Sequence, residues 1–268
     1  MSRRQDRVQD GQPVLQVRGV RKAFGGLQVA QDIDLEVRQG TVHALIGPNG
    51  AGKTTLLAQI CGEIIPDGGR ILLNGQDITT LAVHARARLG LARSFQITSL
   101  LNGLSVFDNV LLAVLGRSAS PWRMWGNVRR QEPFASQARA LLEEAGLARR
   151  ADDDVLALSH GEQRQLELVL ALAASPALLL LDEPMAGLSA AESAEMTQRL
   201  MQLKGHHAML LVEHDMDAVF ALADTVSVLV NGRIIASGPP EVVRANAEVQ
   251  AAYLGEGMEE QPQSRPPA

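Results

Sequence analysis

The sequence predicts an α/β fold: a parallel sheet covered by helices on both faces, antiparallel strands at both ends of the chain, and a mostly helical insertion between them. Three observations carry this expectation. Short apolar runs alternate with helix-length segments, the pattern of parallel strands joined by crossover helices. Two Asn-Gly pairs, Asn74-Gly75 and Asn231-Gly232, each separate strand-like segments and mark tight hairpins. From about residue 97 to residue 175 the apolar spacing becomes helical.

In chain order, Ile33, Leu35 and Val37 alternate with charged residues as in a half-buried strand, and Thr41 to Ile46 is a short apolar strand leading directly into GPNGAGKTT. Lys53 to Cys61 has no breaker and reads as a helix. Gly68 and Gly69 precede a strand over Arg70 to Leu73, which the Asn74-Gly75 turn follows; Asn231-Gly232 repeats the device between Thr225 to Val230 and Arg233 to Ala236. The helical insertion places apolar residues at Val106, Val110, Leu111 and Val114, at Leu141, Leu142 and Ala145, and at Leu166, Val169 and Leu170. Then come a fully apolar strand (Ala177 to Leu181), a helix (about Ala190 to Leu203), a strand (Ala208 to Val212) and a helix (Asp215 to Ala223). Residues 1–12 and 256–268 are polar or Pro-rich without periodicity and are expected to be mobile tails. One domain is thus expected over 13–255, its core built from 13–96 and 176–255 and its helical part from about 97–175.

Composition narrows the possible functions. At 46% hydrophobic and 21% charged residues the chain has ordinary globular character. Twenty-five Lys plus Arg against 30 Asp plus Glu give a net charge of −5, so no basic field exists to hold nucleic acid. The single cysteine, Cys61, cannot form an intrachain disulfide and reads as a small buried apolar residue. The N-terminus lacks the apolar centre of a secretory signal. Leu166 to Leu181, the most apolar stretch, is interrupted by Glu167 and Pro176 and falls short of the roughly 20 residues that cross a bilayer. Any membrane role must therefore run through a partner.

The chemistry concentrates after the apolar strands. Gly47-Pro48-Asn49-Gly50-Ala51-Gly52-Lys53-Thr54, followed by Thr55, fits the phosphate-binding pattern G-x-x-x-x-G-K-[ST] in the required place, after a strand and before a helix. Glycines let backbone N–H groups turn toward phosphate oxygens, the helix N-terminus adds positive potential, Lys53 reaches the outer phosphates, and the Thr54 hydroxyl can ligate magnesium. These features predict a P-loop NTPase core that binds a nucleotide with Mg2+. Asp182, directly after four leucines, meets the need for a carboxylate near the metal. Glu183 follows, and the alternation of side chains at a strand end can aim it at a water beside the terminal phosphate, as general base. His214, just past the strand Ala208 to Val212, can hydrogen-bond that phosphate or the attacking water. Two other features invite ligand readings: His206-His207 has no third ligand nearby, and Trp122 and Trp125 read as structural.

With these residues in place, the stretch from Val14 to Leu254 resembles the ATP-binding cassette family, with its motifs in the family's order, and the resemblance implies a RecA-like core that uses ATP with Mg2+. Leu158-Ser159-His160-Gly161-Glu162 looks like the family's signature motif. The resemblance implies that Ser159, His160, Gly161 and Glu162 close over the ATP of the opposite subunit, although His160 and Glu162 replace the usual glycine and glutamine. It further implies that Gln96 in RSFQ contacts the metal and reports nucleotide occupancy to a permease, and that Phe24 in KAFGG stacks on adenine. Where the family has an aspartate after the acid pair, this chain has Ser189, and communication between the two ATP sites is expected to differ.

More particular stretches, LARSFQITSLLNGLSVFDNVLLAV, LDEPMAGLS, LLVEHDMDAVFALAD and GPPEVVRANAEVQAAYLGE, are similar to the ATPases of branched-chain amino acid importers, especially the LivG type. That likeness implies an ATPase that powers import of branched-chain or other hydrophobic amino acids, or of related amides such as urea. It implies two transmembrane permease subunits, a second ABC ATPase (a LivF-like partner or a second copy), a periplasmic or lipid-anchored binding protein, and a peripheral place on the cytoplasmic side of the membrane. A soluble ABC ATPase acting on ribosomes or DNA-repair intermediates is the rival from another class; such proteins usually fuse two cassettes or carry a long coiled coil. A small-molecule P-loop kinase would not explain LSHGE, Gln96 and His214 together.

Overall fold

The computed structural model describes residues 13–93, 100–116 and 132–254. Both expected tails, Gln96 and the two tryptophans lie outside them. The chain starts with a hairpin, β1 (Leu15–Phe24) and β2 (Leu27–Val37), and β2 leads into β3 (Val42–Ile46) and α1 (Lys53–Cys61). β4 (Gly68–Leu73) and β5 (Gln76–Asp77) complete an antiparallel sheet of order β2-β1-β4-β5. The turn between them carries both central residues in the left-handed region, Asn74 at φ 49° and Gly75 at φ 76°, as a type I′ hairpin requires. Gly68 and Gly69 belong to β4 rather than preceding it. Gly69 is left-handed, and a Cβ there would strike the backbone of Gly19 on β1, so the strand can pair closely only with glycine.

The middle of the chain supplies α2 (Val83–Arg88), the short β6 (Leu91–Arg93), α3 (Val106–Gly116), α4 (Phe134–Glu144) and α5 (His160–Ala173). The last three share their own apolar core, in which Val106, Val110, Leu111 and Val114 meet Ala138 and Leu142 and, from α5, Leu166 and Val169. Then follow β7 (Leu178–Asp182), α6 (Ala190–Leu203), β8 (Ala208–Val212), α7 (Met216–Leu222), β9 (Thr225–Val230), β10 (Arg233–Gly238), α8 (Pro240–Arg244) and α9 (Ala247–Leu254).

The second sheet has the order β10-β9-β3-β8-β7-β6, parallel except for β10. Its strands are apolar on both faces because both are covered. Leu178, Leu180, Leu210 and Leu229 join α1 and the antiparallel sheet in one core, while Leu179, Leu181, Met209 and Leu211 pack under α6 and α7. The second Asn-Gly hairpin therefore extends the parallel sheet and not the antiparallel one. Helix α6 begins where its sequence predicts, because Ser189 and Glu192 form a reciprocal capping box.

Arg86 on α2 is fully buried and donates to the carbonyls of Gln59, Ile60, Thr79 and Leu81 at 2.6–2.8 Å. Two of these belong to the last turn of α1, so a cation closes the C-terminus of the helix that opens from the phosphate loop. Burial lowers the pKa of Arg86, and these carbonyls help to make its charge tolerable there. Arg86→Met should lower the free energy of unfolding by about 3 kcal/mol, since four carbonyls lose a buried charged donor and only that of Gln59 keeps a second one, the Gly62 N–H, among the bonds of the described residues outside the helices. Chemical denaturation measures this; a loss under about 0.5 kcal/mol would show that they find other partners.

Candidate nucleotide site

The site lies at the C-terminal ends of parallel strands β3, β8 and β7, where open α/β sheets bind ligands. Val212 is in register with both Leu45 and Asp182, so the phosphate loop, the segment after β8 and the acid pair stand level. With two inter-strand spacings between them, the loop and Asp182 are about 10 Å apart.

Gly47 turns the chain out of β3, and a Cβ there would collide with the carbonyl oxygen of Leu229. Gly52, at φ 108°, starts α1 without a side-chain cap, and a Cβ on it would come within 2.5 Å of the Val29 carbonyl oxygen. No residue but glycine fits either position, and the loop backbone wraps a helix N-terminus that no side chain closes. This is a cradle suited to phosphate. Lys53 Nζ donates to the carbonyls of Gly47 (2.6 Å) and Pro48 (3.0 Å), which folds the cation over the loop. Thr54 is exposed and Thr55 partly so at the first turn of α1. Pro48, Asn49, Gly50 and Ala51 form the turn, with the Ala51 N–H bonded to the Pro48 carbonyl. Val29 belongs to the hairpin whose tip carries Phe24, so that half-exposed ring sits on the strand pair abutting the loop, with Lys22 Nζ 5.4 Å from its centroid.

Asp182 ends β7 with its side chain 3% exposed, and its Oδ2 accepts from Arg93 Nη2 at 2.9 Å. Glu183 departs from the expected geometry. Its direction comes from a left-handed backbone, φ 49°, and not from strand alternation. Its N–H still bonds the Val212 carbonyl at 2.8 Å, so the turn is anchored to β8. A glutamate in this region carries strain of about 1–3 kcal/mol, the kind of cost that persists where a side chain must be aimed. His214 Nδ1 lies 4.0 Å from Glu183 Oε1, and the imidazole is 68% exposed.

One organising residue escaped the sequence reading. Glu213 has a fully buried side chain that accepts from the Met185 N–H at 2.9 Å through one oxygen and from the His214 and Asp215 N–H groups through the other. It staples the turn bearing Glu183 to the turn bearing His214. An acid placed directly before the histidine was the only available signal.

The signature residues meet a different segment. Ser159 and Glu162 form a capping box at the start of α5, and Glu162 also pairs with Arg150. Glu192 reaches back from α6: its carboxyl is held below the usual range by the Ser189 hydroxyl and N–H and by the Gly161 N–H. A Cβ on Gly161 would strike that carboxylate, and the His160 ring lies over Gly187. Ser189 thus caps α6 and positions the carboxylate that touches the signature helix. Of the remaining candidates, His207 is partly buried, which lowers its pKa, and it bonds the Pro176 carbonyl. Cys61 is buried, and burial raises its pKa to about 11.

Two family models match the chain: "ABC transporter" over residues 30–186 and "Branched-chain amino acid ATP-binding cassette transporter" over residues 233–259. The chain is 37% identical over 252 residues to the high-affinity branched-chain amino acid transport ATP-binding protein LivG of Escherichia coli, covering 91% of this chain and 99% of that one. The chain belongs to the ABC transporter family. This ABC ATPase is also 36% identical over 256 residues to the transport ATP-binding protein BraF of Pseudomonas aeruginosa, with 91% and 98% coverage. Its fold matches the ADP conformation of an ATP-binding cassette at TM-score 0.81 and 28% identity, covering 91% of this chain and 99% of that one. A nucleotide-free cassette matches at TM-score 0.79, also at 28% identity, with 90% and 99% coverage. Family and fold together make the cassette an ATP-binding ATPase of the transporter class.

Proposed function

We propose that this cassette powers an importer of branched-chain or other hydrophobic amino acids, or of related amides such as urea, from the cytoplasmic side of the membrane. The match of its C-terminal segment to the branched-chain transporter model carries this reading, because that segment lies outside the general ATPase match. The same match favours an importer over a soluble ATPase acting on ribosomes or nucleic acid. Among the described residues no helix is long and apolar enough to cross a membrane. A largely apolar cavity of about 250 Å3 between α2, β6 and α5, lined by Val83, Ala87, Leu91, Leu170 and Ala171 with Glu63 and Arg93 beside them, has room for apolar side chains of the importer's permease.

In the working site the loop from Gly47 to Thr55 cradles the phosphates, Lys53 faces the outer ones, and Phe24 stacks on the adenine. Thr54, Asp182 and Gln96 would hold magnesium, which supplies charge that offsets the negative charge developing on the transferred phosphoryl group. Glu183 takes the proton of the attacking water, and His214 steadies that water or the phosphate. Ser159, His160, Gly161 and Glu162 complete the site of a second ATPase subunit, a LivF-like protein or another copy. A periplasmic or lipid-anchored binding protein delivers the cargo to two permease subunits.

An affinity pull-down of tagged Glu183→Gln protein with MgATP, from gently solubilised membranes of the native host, tests the assembly. Two hydrophobic permeases and a second cassette are expected by mass spectrometry. Ribosomal or DNA-repair proteins without a permease would overturn the importer while leaving the ATPase in place.

A further inference from the structure

We infer that Arg93 is a positioning residue: it sets the Asp182 carboxylate for the metal-bound nucleotide and ties it to the apolar groove between the core and the helical part. The inference rests on the reading of Asp182 as a magnesium residue. Arg93 ends the edge strand β6, in register with Leu180, two residues before Asp182 on the neighbouring strand. Its side chain is 12% exposed and its two terminal nitrogens diverge, Nη2 to Asp182 Oδ2 and Nη1 to Glu63 Oε1, both at 2.9 Å.

The Asp182 side chain is 3% exposed, and among the described residues Arg93 is the cation bonded to it. The guanidinium takes one carboxylate oxygen; the other accepts no hydrogen bond among the described residues. One charge-assisted N–H···O bond from a guanidinium that Glu63 anchors on its other side orients the carboxylate and leaves the second oxygen's lone pairs for a metal-bound water. Glu63, the opposite anchor, lies just beyond α1, the helix that opens from the phosphate loop. The strut therefore joins the far end of that helix to the carboxylate at the end of β7. Arg93 and Glu63 also line the groove beside Cys61 and Leu91, so whatever fills the groove presses on the residues that hold Asp182.

The test is calorimetric binding of ADP to the full chain, with and without Mg2+, in Arg93→Met, Arg93→Lys and Asp182→Asn proteins whose melting is followed in parallel. Arg93→Met is expected to need about 10-fold more Mg2+ for the metal-dependent gain in ADP affinity, as when a residue orienting a metal ligand is lost. Metal-free ADP binding should stay unchanged, and Arg93→Lys should restore part of the loss. An unchanged Mg2+ requirement in a folded Arg93→Met protein, with Asp182→Asn strongly impaired, overturns the role of Arg93 alone. If Asp182→Asn is also unaffected, the magnesium reading of Asp182 fails first. Should Arg93→Met not fold, Arg93→Lys decides: a rise of about threefold or more in the Mg2+ required supports the strut, and no rise overturns it.

Discussion

Glu183→Gln is expected to bind MgATP as the parent does and to hydrolyse it about 10²- to 10⁴-fold more slowly. The substitution keeps the size of the side chain and spares the features that aim it: the left-handed backbone at φ 49°, the bond from its N–H to the Val212 carbonyl, and the Glu213 staple on the adjoining turn. What it removes is the ability to accept a proton. Because binding survives and turnover does not, the variant should accumulate as a dimer closed on ATP, visible by size-exclusion chromatography with nucleotide. Phosphate release under single-turnover conditions checks the rate. Activity within about twofold of the parent would assign the base elsewhere, with His214 the next residue to replace.

Lys53→Ala should weaken ATP binding about 10- to 100-fold, the value of one or two charge-assisted hydrogen bonds to phosphate. In the present geometry the ammonium bonds the carbonyls of Gly47 and Pro48, which keeps it over the loop within reach of the outer phosphates. The magnitude depends on charge more than on contact area, so the loss should shrink for AMP, which lacks the phosphates that Lys53 faces. Titration calorimetry with ATP and AMP measures both. Equal weakening of the two ligands would point to a collapsed loop, and unchanged ATP affinity would mean that the phosphate site is elsewhere.

Much of the fold was legible because local physics and tertiary structure agree. Both Asn-Gly turns form left-handed hairpins, helix α6 starts at a capping box spelled out by Ser189 and Glu192, and the apolar runs before Asp182 and Glu213 became central strands. Strand β1 was not legible. Its sequence, LQVRGVRKAF, contains a left-handed glycine and three cations, and it becomes a strand by pairing on both sides with β2 and β4. Strand β6 is only three residues long, too short for any periodicity, and pairing with β7 defines it.

The same division holds at the site. The phosphate loop, the acid pair and His214 could be singled out from sequence as candidates because each proposed role needs a fixed residue type at a fixed place beside a strand end, a constraint that acts over a few neighbouring residues. Arg93 on Asp182, Glu213 across two turns, Arg86 on the end of α1 and Glu192 on the signature helix could not. Each is a charged side chain whose partner lies at least 26 residues away or on another turn, and a charge carries no mark of the partner that will balance it. By itself the sequence determined the strands that bear the candidate nucleotide site and the residue types placed at their ends. Only the tertiary structure decided which buried charges hold that chemistry in place, because burial, which makes pairing obligatory, arises only when distant segments pack together.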